Sequence, residues 1–515
     1  MNLTDVLAAH ARSRADHPAI VSAGVSAGIS TGGRVVTYGG LRDLVWRAAA
    51  ALRARGVAPG DVVGVGLADT AEHLAMMLAV ARLGAVLLPI DWRWTAGEQT
   101  RVAAFFGAGL AIMEPGVALD GVPVLHAGAD WWSALPAAGD DAAFEMPGDP
   151  PFLISLSSGT TGRPRGPRIS HGQMLARFLN QYLTLTFTSH DRYLCATPLY
   201  FGGGRTFCLS YLHAGATVVL QPPPFEPEAI VDTIRAERVT TAFMVPTMLR
   251  RLLEQTDGGR EPLLGDLRVL LSSGAPLSAD ERRAIRARLC PNFMEYYAST
   301  EGGGVTVLLP TDQDARPESV GRPVFCVDVE IVDEAHAPLP VGEVGIIRYR
   351  GPGCAEGFYR DPEASQEAFR DGWFYPGDLG CLDAAGFLFL RGRRKDMIIR
   401  GGINIYPLEI EQALAQHPAV IEAAVVGWPA PDMGEEVAAF VVARAVVAPE
   451  ALIAHCRERL ASYKVPKRIE VVAALPRNSA GKVTKGALVE RLPAFTRPAT
   501  TPRGRAPAAP TRARE

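Results

Sequence analysis

At 515 residues the chain is too long for one ordinary hydrophobic core, so two or more domains are expected. Its 48% hydrophobic and 21% charged residues are those of a soluble globular enzyme, and a net charge of −3 supplies no electrostatic reason to expect nucleic acid or an anionic membrane as partner. Seven scattered cysteines, odd in number and without a C-x-x-C pair, and ten histidines without H-x-x-x-H spacing argue for reduced thiols in a cytoplasm and against a disulfide framework or a zinc site.

Residues 1–17 lack a basic flank followed by an apolar core, so no secretory signal is read. Hydrophobic periodicity then predicts a helix over 41–53, a strand over 62–67, a helix over 72–83 and a buried strand over 85–88. The longest apolar tract, 74–90, is interrupted by Arg82 and Gly84, and reads as a core helix running into a strand, with no transmembrane segment. Gly64-Val-Gly66 hints at a dinucleotide fingerprint, but Asp69 occupies the third glycine position and the hint fails. A strand at Phe152-Leu153-Ile154 is followed by a loop, and the alternation resumes with a strand over 217–220, a helix over 226–237, and strands over 241–245 and 269–272. Beyond about residue 320 closely spaced Gly-Pro turns and short strands, 328–332 and 345–350, predict a small β-rich subdomain. Arg391-Gly-Arg-Arg-Lys-Asp396 has the texture of a hinge between two apolar runs. After it, a helix over 408–416, strands over 423–426 and 437–442 and a helix over 450–460 suffice for a small α+β domain. From Pro493 the chain turns rich in Pro, Ala, Arg and Thr, which predicts a disordered tail. The expected fold is α/β: a large domain, 1–394, of parallel-sheet subdomains plus the β-rich subdomain, hinged to a C-terminal domain, 395–492, and a tail, 493–515.

The loop after Ile154 carries the strongest chemical signal. Ser157-Ser158-Gly159-Thr160-Thr161-Gly162-Arg163-Pro164-Arg165-Gly166 sets four hydroxyls, three glycines and two guanidinium groups within ten positions. Glycine lets backbone N–H groups close around an anion, and the arginines neutralise charge that backbone dipoles match only in part. That combination suits a polyphosphate. It is not G-x-x-x-x-G-K-[ST], because no Lys-Ser or Lys-Thr follows the glycines.

This segment resembles the phosphate-binding signature of the adenylate-forming enzymes, which include acyl- and aryl-CoA synthetases, adenylation domains of peptide synthetases and firefly luciferase. Companion motifs follow in the family's order. Ser272-Ser-Gly274-Ala275-Pro276-Leu277 resembles the loop beside the adenine and acyl pocket, and Tyr297-Ala298-Ser299-Thr300-Glu301 resembles Tyr-Gly-x-Thr-Glu, with Ala298 replacing the usual glycine. The resemblance implies that Tyr297 stacks on adenine, Thr300 contacts phosphate and Glu301 holds Mg²⁺. Trp373-Phe-Tyr-Pro-Gly-Asp378 is similar to the segment whose aspartate grips the ribose, with Pro376 where Thr is commoner. In Gly392-Arg393-Arg-Lys395-Asp396, Arg393 is expected near ribose and phosphate and Lys395 at the pivot. Gly401-Gly402-Ile403-Asn-Ile-Tyr-Pro407 resembles the loop beside the pantetheine tunnel, and Pro476-Arg-Asn-Ser-Ala-Gly-Lys482 the motif that carries the adenylation lysine.

The resemblance covers about residues 5–490 and implies an AMP-forming acid–thiol ligase that uses ATP, Mg²⁺ and coenzyme A. Lys482, Glu301 and Thr300 would be catalytic. The acid would lie among Phe201, Gly202, Gly203, Phe243, Val245, Gly274, Gly302 and Gly303, an apolar, glycine-lined wall suited to an aliphatic or aryl carboxylate. No single arginine stands ready for a second carboxylate, though Arg205 could serve, which modestly disfavours a dicarboxylic acid. Three departures from the family pattern stand out: Arg165 for the usual Lys, Ile403 for a common Glu, and Phe201 for a His or other aromatic at the acyl gate. The partners implied are a small carboxylic acid, ATP and CoA, with a homodimer and a carrier protein left open. Also open are transfer of the acyl group to a carrier-protein pantetheine in trans, a luciferase-like oxygenase, and a non-catalytic nucleotide-binding regulator.

Overall fold

Thr70, Thr95, Ser170 and Ser278 each stand just before a helix, and each hydroxyl accepts the N–H three residues on, from His73, Glu98, Gln173 and Glu281. The last three residues return the bond through their own side chains, completing capping boxes that start these helices at defined positions. The computed structural model describes residues 2–23, 25–26, 29–30, 34–137, 148–156, 164–221, 223–256, 261–477 and 483–493. Two compact units make up the chain, Met1–Arg394 and Lys395–Glu515.

The first unit holds two largely parallel sheets. One has nine strands, in the order Arg322–Pro323, Gly303–Leu308, Phe293–Ser299, Val269–Ser272, Thr241–Phe243, Arg192–Cys195, Thr217–Leu220, Pro18–Ser22 and Val35–Thr37. Its six inner strands run parallel and its ends antiparallel. The other has six, Arg168–Ser170, Pro151–Ile154, Val86–Pro89, Val62–Gly66, Leu110–Met113 and Val124–His126, parallel except at the Arg168–Ser170 edge. The helix Ala71–Arg82 is apolar on every side and buried from Ala71 to Arg82 apart from Glu72, which accounts for the long apolar tract as a core helix followed by the strand Val86–Pro89. No helix among the described residues is long and apolar enough to cross a membrane. A third sheet is antiparallel throughout and contains the strands Asp328–Val332 and Gly345–Arg350 expected from the sequence.

Parallel strands buried on both faces need near-continuous apolar runs, and these were the strands legible in the sequence. The strand expected over 241–245 stops at Phe243, because Val245 is an N-cap and Pro246 opens the helix Pro246–Glu254. In the second unit, the strands expected over 423–426 and 437–442 are the centre of a much longer hairpin, Val420–Ala430 with Gly434–Ala443. Its outer ends carry glutamates, Trp and Pro, which pairing tolerates and periodicity does not show. Helices Pro407–Ala415 and Pro449–Arg459 and the parallel strand Arg468–Val471 complete that unit's core. Of the tail, residues 494–515 lie outside the described residues.

Candidate active site

Both parallel sheets have a strand whose successors lie on opposite sides. In the nine-stranded sheet it is Arg192–Cys195, flanked by Thr217–Leu220 and Thr241–Phe243; in the six-stranded sheet it is Val62–Gly66, flanked by Val86–Pro89 and Leu110–Met113. Loops diverge at the carboxyl ends of such strands and leave a crevice, the usual ligand position in open α/β sheets.

The Ser/Thr/Gly-rich loop joins Pro151–Ile154 to the antiparallel strand Arg168–Ser170, with Ile154 opposite Arg168 and Leu153 opposite Ile169. It therefore closes a hairpin and does not lead into a helix N-terminus, as a nucleotide P-loop does. Ser157, Ser158, Gly159, Thr160, Thr161 and Gly162 lie outside the described residues. The exit of the loop is stitched to residues 357–361: Arg168 N–H donates to Gly357 O (3.1 Å), Tyr359 N–H donates to Gly166 O (2.9 Å), and Pro167 bridges Phe358. Arg165 Nε stands 3.9 Å from Asp361 Oδ2, with its guanidinium 5.9 Å from the Phe358 ring centre. Asp361 also caps the helix Pro362–Ala368 by accepting from Ala364 N–H (3.1 Å).

The motif 297–301 runs off the end of the strand Phe293–Ser299 into a tight turn and back along Gly303–Leu308, with a register shift at Tyr297/Ala298. Ser299 Oγ accepts from Gly302 N–H (2.8 Å) and shares a 2.6 Å hydrogen bond with Tyr349 Oη. Arg177, buried on the helix His171–Thr184, donates to the carbonyls of Thr300 (3.2 Å), Glu301 (2.7 Å) and Gly353 (2.8 Å). The backbone that presents Thr300 and Glu301 is thus held from behind by one guanidinium. Sequence reasoning missed Arg177; the available signal was an arginine on the same helical stripe as Met174, Phe178 and Gln181.

Asp378 opens the strand Asp378–Leu382 and stands opposite Arg393 in the antiparallel ladder with Leu388–Arg393. Its carboxylate accepts from Tyr297 Oη (2.5 Å) and pairs with Arg393 Nε (2.7 Å), while Arg393 Nη1 donates to Pro376 O (3.1 Å). Burial pushes the Tyr297 phenol well above its ordinary pKa, so it stays a proton donor. Three residues taken from separate motifs therefore form one hydrogen-bonded set.

Of the acyl-pocket candidates, Phe201 and Phe243 lie beside the switch point of the nine-stranded sheet. Phe201 precedes the helix Gly202–Ala214, and Phe243 is buried at the end of its strand, 5.0 Å from the Phe207 ring. Gly203 lies against both Phe243 and Phe201, and Val245 is partly buried beside them. Gly202 and Gly274 have open space where a side chain would stand, and Gly274, with φ +99°, sits with Ala275 and Pro276 on an exposed loop. Gly302 faces the Tyr349 ring, and Gly303 faces the aliphatic stem of Arg177. Arg205 requires a correction. It is 1% exposed and donates to Tyr200 O (2.6 Å), Leu199 O (3.4 Å) and Ser155 Oγ (3.0 Å), so it is not held out to receive a substrate carboxylate.

In the second unit, Gly401 (φ +57°) and Gly402 (φ +81°) form a two-residue turn between Ile398–Arg400 and Ile403–Ile405, with Arg400 opposite Ile403. Two consecutive positive φ values are what a type I′ hairpin requires, and glycine adopts them without strain. Ile403 is 44% exposed beside this turn. Lys395 lies in the short 3₁₀ turn Arg394–Asp396. Lys482 lies outside the described residues; Arg477 and Val483, on either side of that segment, form an antiparallel bridge.

Among the described residues no three metal-ligating side chains cluster. Glu301, partly buried and presented on a turn, fits Mg²⁺ held by one protein carboxylate plus substrate phosphates, the ion's common arrangement in nucleotide enzymes.

The family model for AMP-binding enzymes matches residues 7–359, and that for the AMP-binding enzyme C-terminal domain matches 409–482. The chain therefore belongs to the AMP-binding enzyme family, and it is an AMP-forming acid–thiol ligase, a class that works with ATP, Mg²⁺ and CoA. It is 37% identical to a feruloyl-CoA synthase of Amycolatopsis sp over 477 residues, 89% of this chain and 94% of the relative. It is 34% identical to an indoleacetate–CoA ligase of Aromatoleum aromaticum, covering 88% of this chain and 92% of the relative. The structure of o-succinylbenzoate CoA synthetase from Bacillus subtilis with ATP and magnesium superposes with a TM-score of 0.84 at 29% identity, covering 94% and 99% of the two chains.

Proposed function

We propose that this enzyme joins a compact aryl or short aliphatic carboxylic acid to CoA in two steps, through an acyl-adenylate. The observation that carries the substrate class is the acyl wall: Gly203, Phe243 and Phe207 pack closely, and Phe207 continues into a cluster with Tyr193, 6.2 Å away, and Tyr296, 6.4 Å away. Close-packed rings would give a bound acid flat apolar walls and little depth, which favours an aromatic ring over a long alkyl chain. Two relatives that are aryl-acid ligases support the same class.

A carboxylate is a poor acyl donor because its leaving group would be oxide. In the first step its oxygen attacks the α-phosphorus of ATP, the bond to the β-phosphate oxygen breaks, and pyrophosphate departs. Two anions must meet, so the catalytic work is charge stabilisation at the reacting centre. In this reading Tyr297 stacks on adenine, Asp378 and Arg393 hold the ribose side, Thr300 and the loop 157–166 hold phosphates, and Lys482 bridges carboxylate and α-phosphate. Mg²⁺ on Glu301 would neutralise phosphate charge. In the second step the CoA sulfur attacks the acyl carbon, AMP leaves with the bonding pair, and the thiol proton passes to solvent. Gly401, Gly402 and Ile403 would line the thiol's approach, with Lys395 the pivot between the two steps.

The test is AMP release from ATP and Mg²⁺ with a panel of aryl, short aliphatic and long-chain acids, with and without CoA. CoA-dependent release with aryl or short acids is expected. Turnover with long-chain acids alone would overturn the substrate class, and pyrophosphate exchange without CoA turnover would indicate a carrier-protein acceptor instead.

A further inference from the structure

Arg205 is a buried cation with an unusual set of partners. It lies on the helix Gly202–Ala214, one turn behind the acyl gate at Phe201, and is 1% exposed. Its Nη1 donates to the carbonyls of Leu199 (3.4 Å) and Tyr200 (2.6 Å), in the loop that leaves the switch strand of the nine-stranded sheet. Its Nη2 donates to Ser155 Oγ (3.0 Å), one residue beyond the strand Pro151–Ile154 of the six-stranded sheet and two before the phosphate loop begins. Among the described residues no carboxylate pairs with it, and its Nε has no hydrogen-bond partner. The neighbouring carboxylate, Asp69, is directed instead to the N–H of the same Leu199 (2.7 Å). His73, fully buried one turn along the next helix, feels the arginine's charge and is held neutral by burial.

A buried guanidinium without a counter-ion is costly, and an apolar residue would pack here at lower cost. What an apolar residue does not supply is a rigid planar fork whose two ends reach two different sheets. We propose that Arg205 is a positioning residue that couples the acyl gate to the root of the phosphate loop, so that acid and ATP are set in register for adenylation. This rests on the two-step ligase reading above. Adenylation needs carboxylate and α-phosphate within reacting distance, where a displacement of about 1 Å is expensive. Thioester formation starts from an acyl-adenylate in which those two groups are already covalently joined, so it depends far less on the coupling.

Ser155→Ala removes only the limb that crosses between the sheets, and Arg205→Lys keeps the charge without the fork. Acid-dependent ATP–pyrophosphate exchange and thioester formation from supplied acyl-AMP are measured for both variants and the wild type, with thermal midpoints alongside. The expected result is a fall of about 10-fold in exchange kcat/KM in each variant, with raised KM for both acid and ATP, and thioester formation within about twofold of wild type. Exchange within twofold of wild type in Ser155→Ala, or an equal fall in both half-reactions, would overturn the coupling role, since a merely structural residue gives one of those two patterns. If Arg205→Lys does not fold, Ser155→Ala alone decides. Wild-type protein with no exchange for any acid would instead overturn the ligase reading itself.

Discussion

Asp378 receives a phenol from Tyr297 and a guanidinium from Arg393, and in the proposed reading its charge would organise the nucleotide side of the site and offer the ribose an acceptor. Asp378→Asn keeps the shape and removes the charge. Charge-assisted hydrogen bonds contribute about 1.5–3 kcal/mol, so the KM for ATP should rise roughly 10- to 100-fold while the KM for the acid moves little. Steady-state kinetics with each substrate varied in turn checks this, and equal changes in both would place Asp378 outside the nucleotide site. At the same scale, Arg165, which stands where the resemblance expects Lys, lies 3.9 Å from Asp361 and against the Phe358 ring.

Phe201 stands at the N-cap of the helix Gly202–Ala214, which carries Gly203, Arg205 and Phe207 within two turns, so in the proposed reading one element would set both the pocket and its link to the other sheet. A methyl group at Gly203 would lie 2.9 Å from the Phe243 ring and 3.1 Å from Phe201. Gly203→Ala should therefore push a ring into the pocket and lower kcat/KM for bulky aryl acids by about 10-fold or more, one mispacked methylene-sized group being worth about 1–3 kcal/mol of discrimination. Acetate-sized acids should be spared. An unchanged acid profile would show that this wall does not contact substrate.

Two buried histidines, His73 and His171, and the partly buried His213 tie the stability of the large unit to pH. Burial lowers their pKa values, to about 3 for His73 and about 4 for His171 and His213. His171 Nδ1 accepts the N–H of Leu3 (3.3 Å), a bond that a proton on that nitrogen would break. With the folded pKa below the unfolded value near 6.5, the unfolded chain takes up protons first. Stability is therefore fully present above about pH 6.5 and is lost as pH falls toward about 4, by on the order of 3 kcal/mol for His171 alone. Urea midpoints at pH 7.5, 5.5 and 4.5 should fall in that order, and a flat profile would contradict it. In the proposed reading Lys482 and the turn at 401–403, both in the second unit, would serve different steps. Lys482→Ala should abolish adenylate formation, by more than about 100-fold, and leave thioester formation from acyl-AMP intact. Equal loss of both half-reactions would sink this division of roles.

What the sequence by itself determined follows from local chemistry. Buried parallel strands such as Val269–Ser272 need unbroken apolar runs, and polyphosphate, ribose and metal contacts need hydroxyls, glycines and carboxylates close together in the chain. Both are legible without neighbours, and so were the α/β class and the motifs around Tyr297, Asp378 and Arg393. Arg177 and Tyr349 were not legible beside Thr300 and Ser299, and Arg205 was read only as able to meet a substrate carboxylate, because the contacts that decide them reach 50 to 176 residues along the chain. An arginine within an apolar helix reads the same whether it waits for a ligand or clamps a carbonyl. Only the packing of the two sheets, which brings Ser155 to Arg205 and Thr300 to Arg177, decided which, because a buried cation's role is set by the acceptors that folding places around it.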